Sequence, residues 1–269
     1  MPAVPITLFT DQRERRPIFD SIVPIEGSGA KAYRDKLLWM GRSPYDQTLF
    51  LDTDTYVCDD VSELFDLLGA FDMALTHDRA FRDNFPPDVG VPHAFREFNT
   101  GVVVYRRTPE TGVFFDECLR LYDELARRPG TPQFVPDQMP FRVAAFHSRL
   151  RIATLTFEYN CRFPYFGYTN GRVKLLHGRE FLSSFSAPEL ERLAAGLNVI
   201  DTPRVYVAGD LYALHPARTL FSRRYAPVRV ARLFIPYWKY CRSEILRRLK
   251  DHGWAATVSQ LKRKILSVT

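Results

Sequence analysis

The stretch Leu49-Phe50-Leu51-Asp52-Thr53-Asp54 constrains the fold of this chain more than any other. The apolar run over Thr48–Leu51 predicts a buried strand of an α/β sheet, because strands covered on both faces read as continuous apolar runs. It opens onto two carboxylates one residue apart. A strand alternates its faces, so Asp52 and Asp54 point the same way just as the chain leaves the core. Two neighbouring carboxylates repel each other unless a cation sits between them, and ligands of open α/β sheets bind at the carboxyl edge of the strands. The pair therefore points to a divalent metal clamping a phosphate. The competing reading is a polar strand exit, where Asp is favoured simply as a turn residue.

The rest of the chain supplies elements to surround that strand. Ile6–Phe9 predicts a β-type run, Lys31–Met40 a helix, Gln47–Leu51 the strand feeding the aspartates, and Val61–Leu68 a short helix stopped by Gly69. Phe71–Thr76 and Glu97–Tyr105 read as strands. Residues 77–97 between them carry Pro86, Pro87, Gly90 and Pro92 and read as a loop, placed as a lid over a site. Pro109 opens a long helix to about Arg127, with Phe114, Cys118, Leu121, Tyr122 and Leu125 on one stripe. Pro136–Phe146 and Pro188–Leu197 read as helices, and Ile152–Thr156, Val173–Leu176, Val205–Val207 and Leu211–Ala213 as extended pieces. Strands alternating with helices predict an α/β fold with a mixed, mainly parallel sheet, the Asn99 strand being the mixed member. The expected organisation is one α/β domain over 1–225 and a basic helical extension over 226–269.

Composition narrows the class. The 269 residues, 46% hydrophobic and 25% charged, suit an ordinary globular α/β domain. No apolar stretch approaches the ~18 residues of a spanning helix, and Met1–Pro5 lacks the basic start and apolar stretch of a signal peptide. Cys58, Cys118, Cys161 and Cys241 are widely spaced, form no CxxC pair and read as reduced thiols of a cytoplasmic protein. The net charge of +6 is uneven: from Arg229 to Thr269 ten Lys/Arg face two acidic residues, so the remainder is slightly acidic. That argues against nucleic acid as partner of the core and assigns the basicity to a tail. In the tail, Trp254, Val258, Leu261, Ile265 and Val268 form one helical stripe beside Lys262, Arg263 and Lys264. Such a helix can lie peripherally on an anionic membrane, through residues 229–269 at its inner face, or pack on its own domain with solvated lysines.

Four segments beyond the aspartates bear a resemblance. Val57–Phe65 follows the pair as a short acidic-apolar segment, and Phe98-Asn99-Thr100-Gly101 opens a strand ending at Tyr105. Pro136-Asp137-Gln138 and Leu175-Leu176-His177-Gly178 come later. Asp52-Thr53-Asp54 resembles the DxD motif of nucleotide-sugar-dependent glycosyltransferases with the GT-A fold. The other segments resemble, in the same order and spacing, that family's post-motif helix, its "fN(S/T)G" strand, its "DQ" element and its late "HG" segment. The resemblance runs from about Val4 to Arg179 and is nearest to glycogenin-like and galactosyltransferase-like retaining families and uncharacterised bacterial relatives. It implies a GT-A, Rossmann-like sheet, a Mn²⁺ or Mg²⁺ ion, a nucleoside-diphosphate sugar as donor, and a glycan, lipid-linked or protein acceptor. It implies transfer with retention, with bacterial surface glycan synthesis as the setting.

The same resemblance assigns residues. Asp54 is expected to ligate the metal directly, Asp52 to be shared between metal and donor, and His177 to be the third ligand, an imidazole favouring manganese over magnesium. Gly178 allows backbone to approach a phosphate, and Lys174 and Arg179 flank His177 toward the diphosphate. Asn99 is expected to meet donor-sugar hydroxyls or to act as a structural cap. Asp137 and Gln138 are expected to lie across the sugar, Asp137 as binder of hydroxyls or base. Tyr159, Phe163, Tyr165, Phe166 and Tyr168 are expected as an acceptor platform or as core. One departure stands out: the family's first strand and helix precede the segment matching Ile6–Phe9, so either that segment is missing here or the nucleotide is bound differently.

Two rival functions remain at this stage. A haloacid-dehalogenase-type phosphatase also has an apolar strand ending in DxDx(T/V), but Tyr56 occupies the Thr/Val place and Gly209-Asp210 lacks a second aspartate. A weak or inactive transferase-like scaffold is the non-enzymatic alternative.

Overall fold

The computed structural model describes residues 4–13, 16–25, 32–78, 90–128, 135–163, 165–178, 185–198, 203–207 and 210–213. The expected lid over 77–97 falls largely, and the C-terminal extension over 226–269 wholly, outside the described residues. The chain forms two compact units, residues 1–163 with 169–201, and residues 164–168 with 202–269.

The first unit opens with two short parallel strands, β1 (Thr7–Thr10) and β2 (Ser21–Pro24), followed by helix α1 (Ala32–Gly41). Its main sheet has the order β3 (Gln47–Leu51), β6 (Phe98–Arg106), β5 (Met73–His77), β7 (Ile152–Thr154). A separate antiparallel pair joins β4 (Thr55–Val57) to β9 (Leu175–His177). The helices are α2 (Glu63–Asp66), running on into a 3₁₀ turn at Leu67–Gly69, then α3 (Pro109–Arg127), α4 (Gln138–His147) and α5 (Ala187–Asn198). The second unit holds β10 (Arg204–Val207) and β11 (Asp210–Ala213), antiparallel, in a three-stranded sheet with β8 (Phe166–Thr169).

Alternation along the strands explains the layers. In β6, Val103 and Tyr105 face one way with Met73 and Leu75 of β5, against Leu37 and Met40 of α1, Phe114, Cys118 and Tyr122 of α3 and Phe141 of α4. Val102 and Val104, with Ala74, face the other way against Leu64, Leu68 and Leu155. β6 is therefore covered on both faces, and eight of its nine residues are buried. Thr108 starts α3 by accepting from Thr111 N–H while the Thr111 hydroxyl accepts from Thr108 N–H, with Pro109 at the first helical position.

The mainly parallel sheet expected from the sequence is corrected here. In the four-stranded sheet β3–β6 and β6–β5 are antiparallel and only β5–β7 is parallel. The apolar run of β6 reports burial on two faces, which sequence alone reads as parallel pairing; strand direction is not written in it. The mixed character, with the Asn99 strand as the mixing member, is present.

One irregularity prepares the site. The β5–β6 register shifts between Leu75 and Thr76, so Leu75 faces Val103 but Thr76 faces Asn99. Thr100, Gly101 and Val102 thus have no partner on β5 in that ladder, and bulges of this kind re-aim side chains.

Candidate metal centre

Asp52 lies one residue past β3, where its N–H donates to Gly101 C=O at 2.9 Å. Thr55 then returns its N–H and Oγ1 to the Asp52 carbonyl, at 3.1 and 2.8 Å, closing a tight turn. Residues 53 and 54 are turn rather than strand. The two carboxylates are brought together by that turn, not by strand alternation. The chain leaves the turn along β4, whose register sets Thr55 opposite His177. Gly178 N–H donates to Asp54 C=O at 3.1 Å, and Gly178 has φ 151°, a conformation that favours glycine.

This geometry converges Asp52, Asp54 and His177. One ligand atom from each lies within 4.8 Å of the others. His177 Nε2 stands 3.4 Å from Asp54 Oδ1 and 3.6 Å from Asp52 Oδ2. Two carboxylate oxygens and an imidazole nitrogen are a donor set suited to Mn²⁺ and workable for Mg²⁺. The imidazole packs directly on Gly101: a Cβ there would lie 2.1 Å from His177 Cε1. These residues fit a divalent cation.

Lys36 is a residue the sequence reading missed. Its ammonium reaches Asp52 Oδ1 and Oδ2 at 2.8 and 2.9 Å, Asp137 Oδ2 at 3.0 Å and Thr100 Oγ1 at 3.2 Å. Thr100 Oγ1 in turn donates to Asp137 Oδ2 at 2.5 Å. A signal was available: Lys36 lies next to Leu37 and one helical turn before Met40, both buried. Burial opposes its charge, but Asp137 and Asp52 outweigh that and raise its pKa.

A second carboxylate cluster centres on Asp78, whose side chain is fully buried. Its Oδ2 accepts from Asn99 Nδ2 at 3.1 Å, Gln138 Nε2 at 2.8 Å and Arg162 at 3.1 Å. Gln138 Oε1 is buried and has no hydrogen-bond partner among the described residues. Asn160 links the clusters, donating to Asn99 Oδ1 at 2.8 Å while its Oδ1 lies 2.9 Å from His177 Nδ1. Asp78, Arg162 and Asn160 were absent from the sequence reading, and Thr100 was named there only as part of its segment, without a role. Asn160 sits in an aromatic stretch, and its partners are 17 and 61 residues away.

Among the described residues the two linked clusters hold four carboxylates, Asp52, Asp54, Asp78 and Asp137, against two fixed cations, Lys36 and Arg162. A divalent cation balances such a surplus. Burial raises the Asp54 carboxyl, but the hydrogen bond and the charge of His177, with a backbone hydrogen bond, together lower it on balance. Burial lowers His177, and its bonds to Asp52 and Asp54 raise it above 6.5 on balance.

Asp52 yields a pH prediction. Burial opposes its ionisation, but the Lys36 ammonium and the His177 imidazole together outweigh burial and lower the pKa from 3.8 to about 2. A carboxyl depressed in the folded state contributes stability that is fully present above its unfolded value of about 4 and is lost as pH falls toward about 2. In that window the slope of unfolding free energy against pH, measured by denaturant titration, is expected to be steeper in wild type than in Asp52→Asn. Equal slopes would contradict the Lys36–Asp52 pairing.

Other expected site residues are placed differently. Lys174 Nζ lies 3.6 Å from Asp59 and 3.7 Å from Glu63, so it pairs there. Arg179 is outside the described residues. Both ends of the Asn99 carboxamide are engaged within the protein. Phe163 is buried, and the Tyr159 hydroxyl bonds Glu63. Tyr165, Phe166 and Tyr168 are exposed and belong to the second unit. Cys58, Cys118 and Cys161 are free thiols. Among the described residues no helix is long and apolar enough to cross a membrane.

No family model matches this sequence, and no curated protein matches it. Solved structures do. The chain is similar to the galactosyltransferase LgtC in complex with donor and acceptor sugar analogs, at 16% identity and a TM-score of 0.44, over 69% of this chain and 79% of that one. It is similar to the glycosyltransferase GlyE of Streptococcus pneumoniae TIGR4, at 19% identity and a TM-score of 0.35, over 55% of this chain and 34% of that one. It is also similar to mouse xyloside xylosyltransferase 1, at 16% identity and a TM-score of 0.36, over 57% of this chain and 66% of that one.

Proposed function

We propose that this chain is a metal-dependent glycosyltransferase, moving a sugar from a nucleoside-diphosphate sugar to a hydroxyl acceptor. The carrying observation is the convergence of Asp52, Asp54 and His177, with Lys36 bridging Asp52 to Asp137. Asp52, Asp54 and His177 would hold Mn²⁺ or Mg²⁺, which supplies Lewis-acid stabilisation to a departing diphosphate. The four segments that resemble the GT-A transferases support the same reading. Its finer parts, retention of configuration and a role in bacterial surface glycan assembly, rest on that resemblance.

The chain's own groups have separable tasks. Lys36 favours the ionised form of Asp52, orients both Asp52 and Asp137, and places a positive charge beside the cluster where a diphosphate would arrive. Asp137 Oδ2 is taken by Thr100 and Lys36, and Oδ1 carries neither of those bonds, which leaves it to sugar hydroxyls. Gln138 Oε1 is a buried acceptor that a donor-sugar hydroxyl can satisfy; such an atom is costly when left unmet. In the transfer the bond from the anomeric carbon to the diphosphate oxygen breaks with its electron pair staying on the diphosphate, a bond to the acceptor oxygen forms, and the acceptor's proton passes to the departing diphosphate.

The test is nucleoside-diphosphate release from a panel of UDP- and GDP-sugars with Mn²⁺. At least one donor is expected to turn over, with release stopped by chelator and reduced at least about a hundredfold in Asp54→Ala. Release from no donor, together with no nucleotide binding, would rule the reading out.

A further inference from the structure

The groups behind His177 form a chain whose direction can be read from one backbone atom. Gly101 N–H donates to Asn99 Oδ1 at 3.1 Å. A backbone N–H only donates, so Asn99 presents oxygen there and its Nδ2 points away, to Asp78 Oδ2 at 3.1 Å. Asn160 must then present its nitrogen to Asn99 Oδ1, at 2.8 Å, and the same Nδ2 donates to Thr76 Oγ1 at 2.9 Å. Both amide protons of Asn160 are used, and only its Oδ1 remains for His177 Nδ1, at 2.9 Å. An oxygen facing Nδ1 requires the proton on Nδ1. Amide and imidazole orientations are usually a choice between near-equal alternatives; here a covalently fixed donor at Gly101 settles all three. Asn99, Asn160 and Thr76 are at most 3% exposed, so water does not compete for these bonds.

We infer that Asn160, oriented by Asn99 and Gly101, is a positioning residue that fixes His177 as its Nδ1–H tautomer and presents Nε2 to Asp52 and Asp54 as the metal-binding atom. The inference rests on the reading of these three residues as a metal centre. Its logic is electrostatic. A neutral imidazole holding its proton on Nε2 would aim an N–H at both carboxylates and occupy them as a donor. With the proton held on Nδ1 by Asn160, the Nε2 lone pair joins the two carboxylates in facing a cation. Asn160 thereby serves the site without touching the metal or the substrate.

The tautomer is observable in the metal-free protein. Two-bond ¹⁵N–¹H imidazole correlation spectra at alkaline pH, with His177 assigned through His177→Gln, should show the Nδ1–H pattern in wild type. An Nε2–H pattern in wild type overturns the inference, and beyond the assignment of His177 this measurement uses wild type alone. Asn160→Leu removes the acceptor at similar volume. It should lose the Nδ1–H pattern and bind Mn²⁺ about ten- to a hundredfold more weakly by titration. Asn160→Asp retains an acceptor toward Nδ1 and should stay within a few-fold of wild type, a rescue that a purely structural role would not produce. Mn²⁺ affinity unchanged in Asn160→Leu overturns the relay while leaving the metal centre standing. No Mn²⁺ binding to wild type overturns the metal centre itself, and with it the purpose of the relay.

Discussion

Gly101→Ala is expected to abolish Mn²⁺ binding while costing only about 1–3 kcal/mol of stability, the range for an overpacked core position. The added Cβ would stand 2.1 Å from His177 Cε1, 2.6 Å from Nε2 and 2.8 Å from Nδ1, distances no real Cβ adopts. The ring has little room to yield. Its strand pairs with β4 at Thr55, its Nδ1 is held by Asn160, and the two aspartates stand across Nε2. Gly101 is no freer, since its N–H and C=O are committed to Asn99 Oδ1 and Asp52 N–H. Displacement of the imidazole is therefore the expected outcome, with Mn²⁺ affinity falling by at least about a hundredfold. Gly112, inside α3, is the control, because a methyl added there would meet nothing within 4 Å. Gly112→Ala should bind Mn²⁺ as wild type does and gain about 0.5–1 kcal/mol. Electron paramagnetic resonance of free Mn²⁺ and thermal unfolding read both quantities. Wild-type Mn²⁺ affinity in Gly101→Ala would remove His177 from the site.

Lys36→Met should be the most destabilising single change at the site, by about 3–5 kcal/mol, because it leaves carboxylates in place without their shared cation. Asp137 is 3% exposed, and Lys36 is bonded to one of its oxygens as well as to Asp52. Urea denaturation reads the loss as a lower midpoint. If the cause is the stranded charge, Asp137→Asn in the same chain should recover part of it, so that the double variant is less destabilised than the sum of the two singles. Lys36→Arg retains the charge but must fit a planar fork where a point ammonium serves both carboxylates, so partial stability and reduced turnover are expected. A Lys36→Met midpoint equal to wild type would mean that the ammonium does not hold the two carboxylates together.

How much of this was legible in sequence depended on how local each cause is. β3 at Gln47–Leu51 and α3 at Pro109–Arg127 match their expected bounds. The first is an uninterrupted apolar run between polar ends. The second has a helical stripe, a capping Thr108 and a Pro at its first position. β2 at Ser21–Pro24 was missed because it is four residues long, half exposed, and ends in a proline; its pairing with β1 is what makes it a strand. The helix expected over Val61–Leu68 is a single turn of α-helix at Glu63–Asp66 followed by 3₁₀ structure to Gly69.

The same distinction applies to the site. Asp52 and Asp54 were legible as a pair, and His177 through the resemblance of its segment. Lys36, Asp78, Asn160 and Arg162 were not, because each acquires its role from partners between 16 and 101 residues away. Lys174 shows the converse. Its proximity to His177 in sequence suggested a shared task, but alternation along β9 and the approach to it turns it toward Asp59 and Glu63.

The most direct test of the metal-centred donor site is a calorimetric titration of UDP and of GDP, each with and without Mn²⁺, into wild type and Asp54→Ala. The account predicts that one nucleotide binds wild type only when Mn²⁺ is present, and that this binding is lost in Asp54→Ala. Binding that ignores Mn²⁺, or that survives Asp54→Ala unchanged, would contradict it.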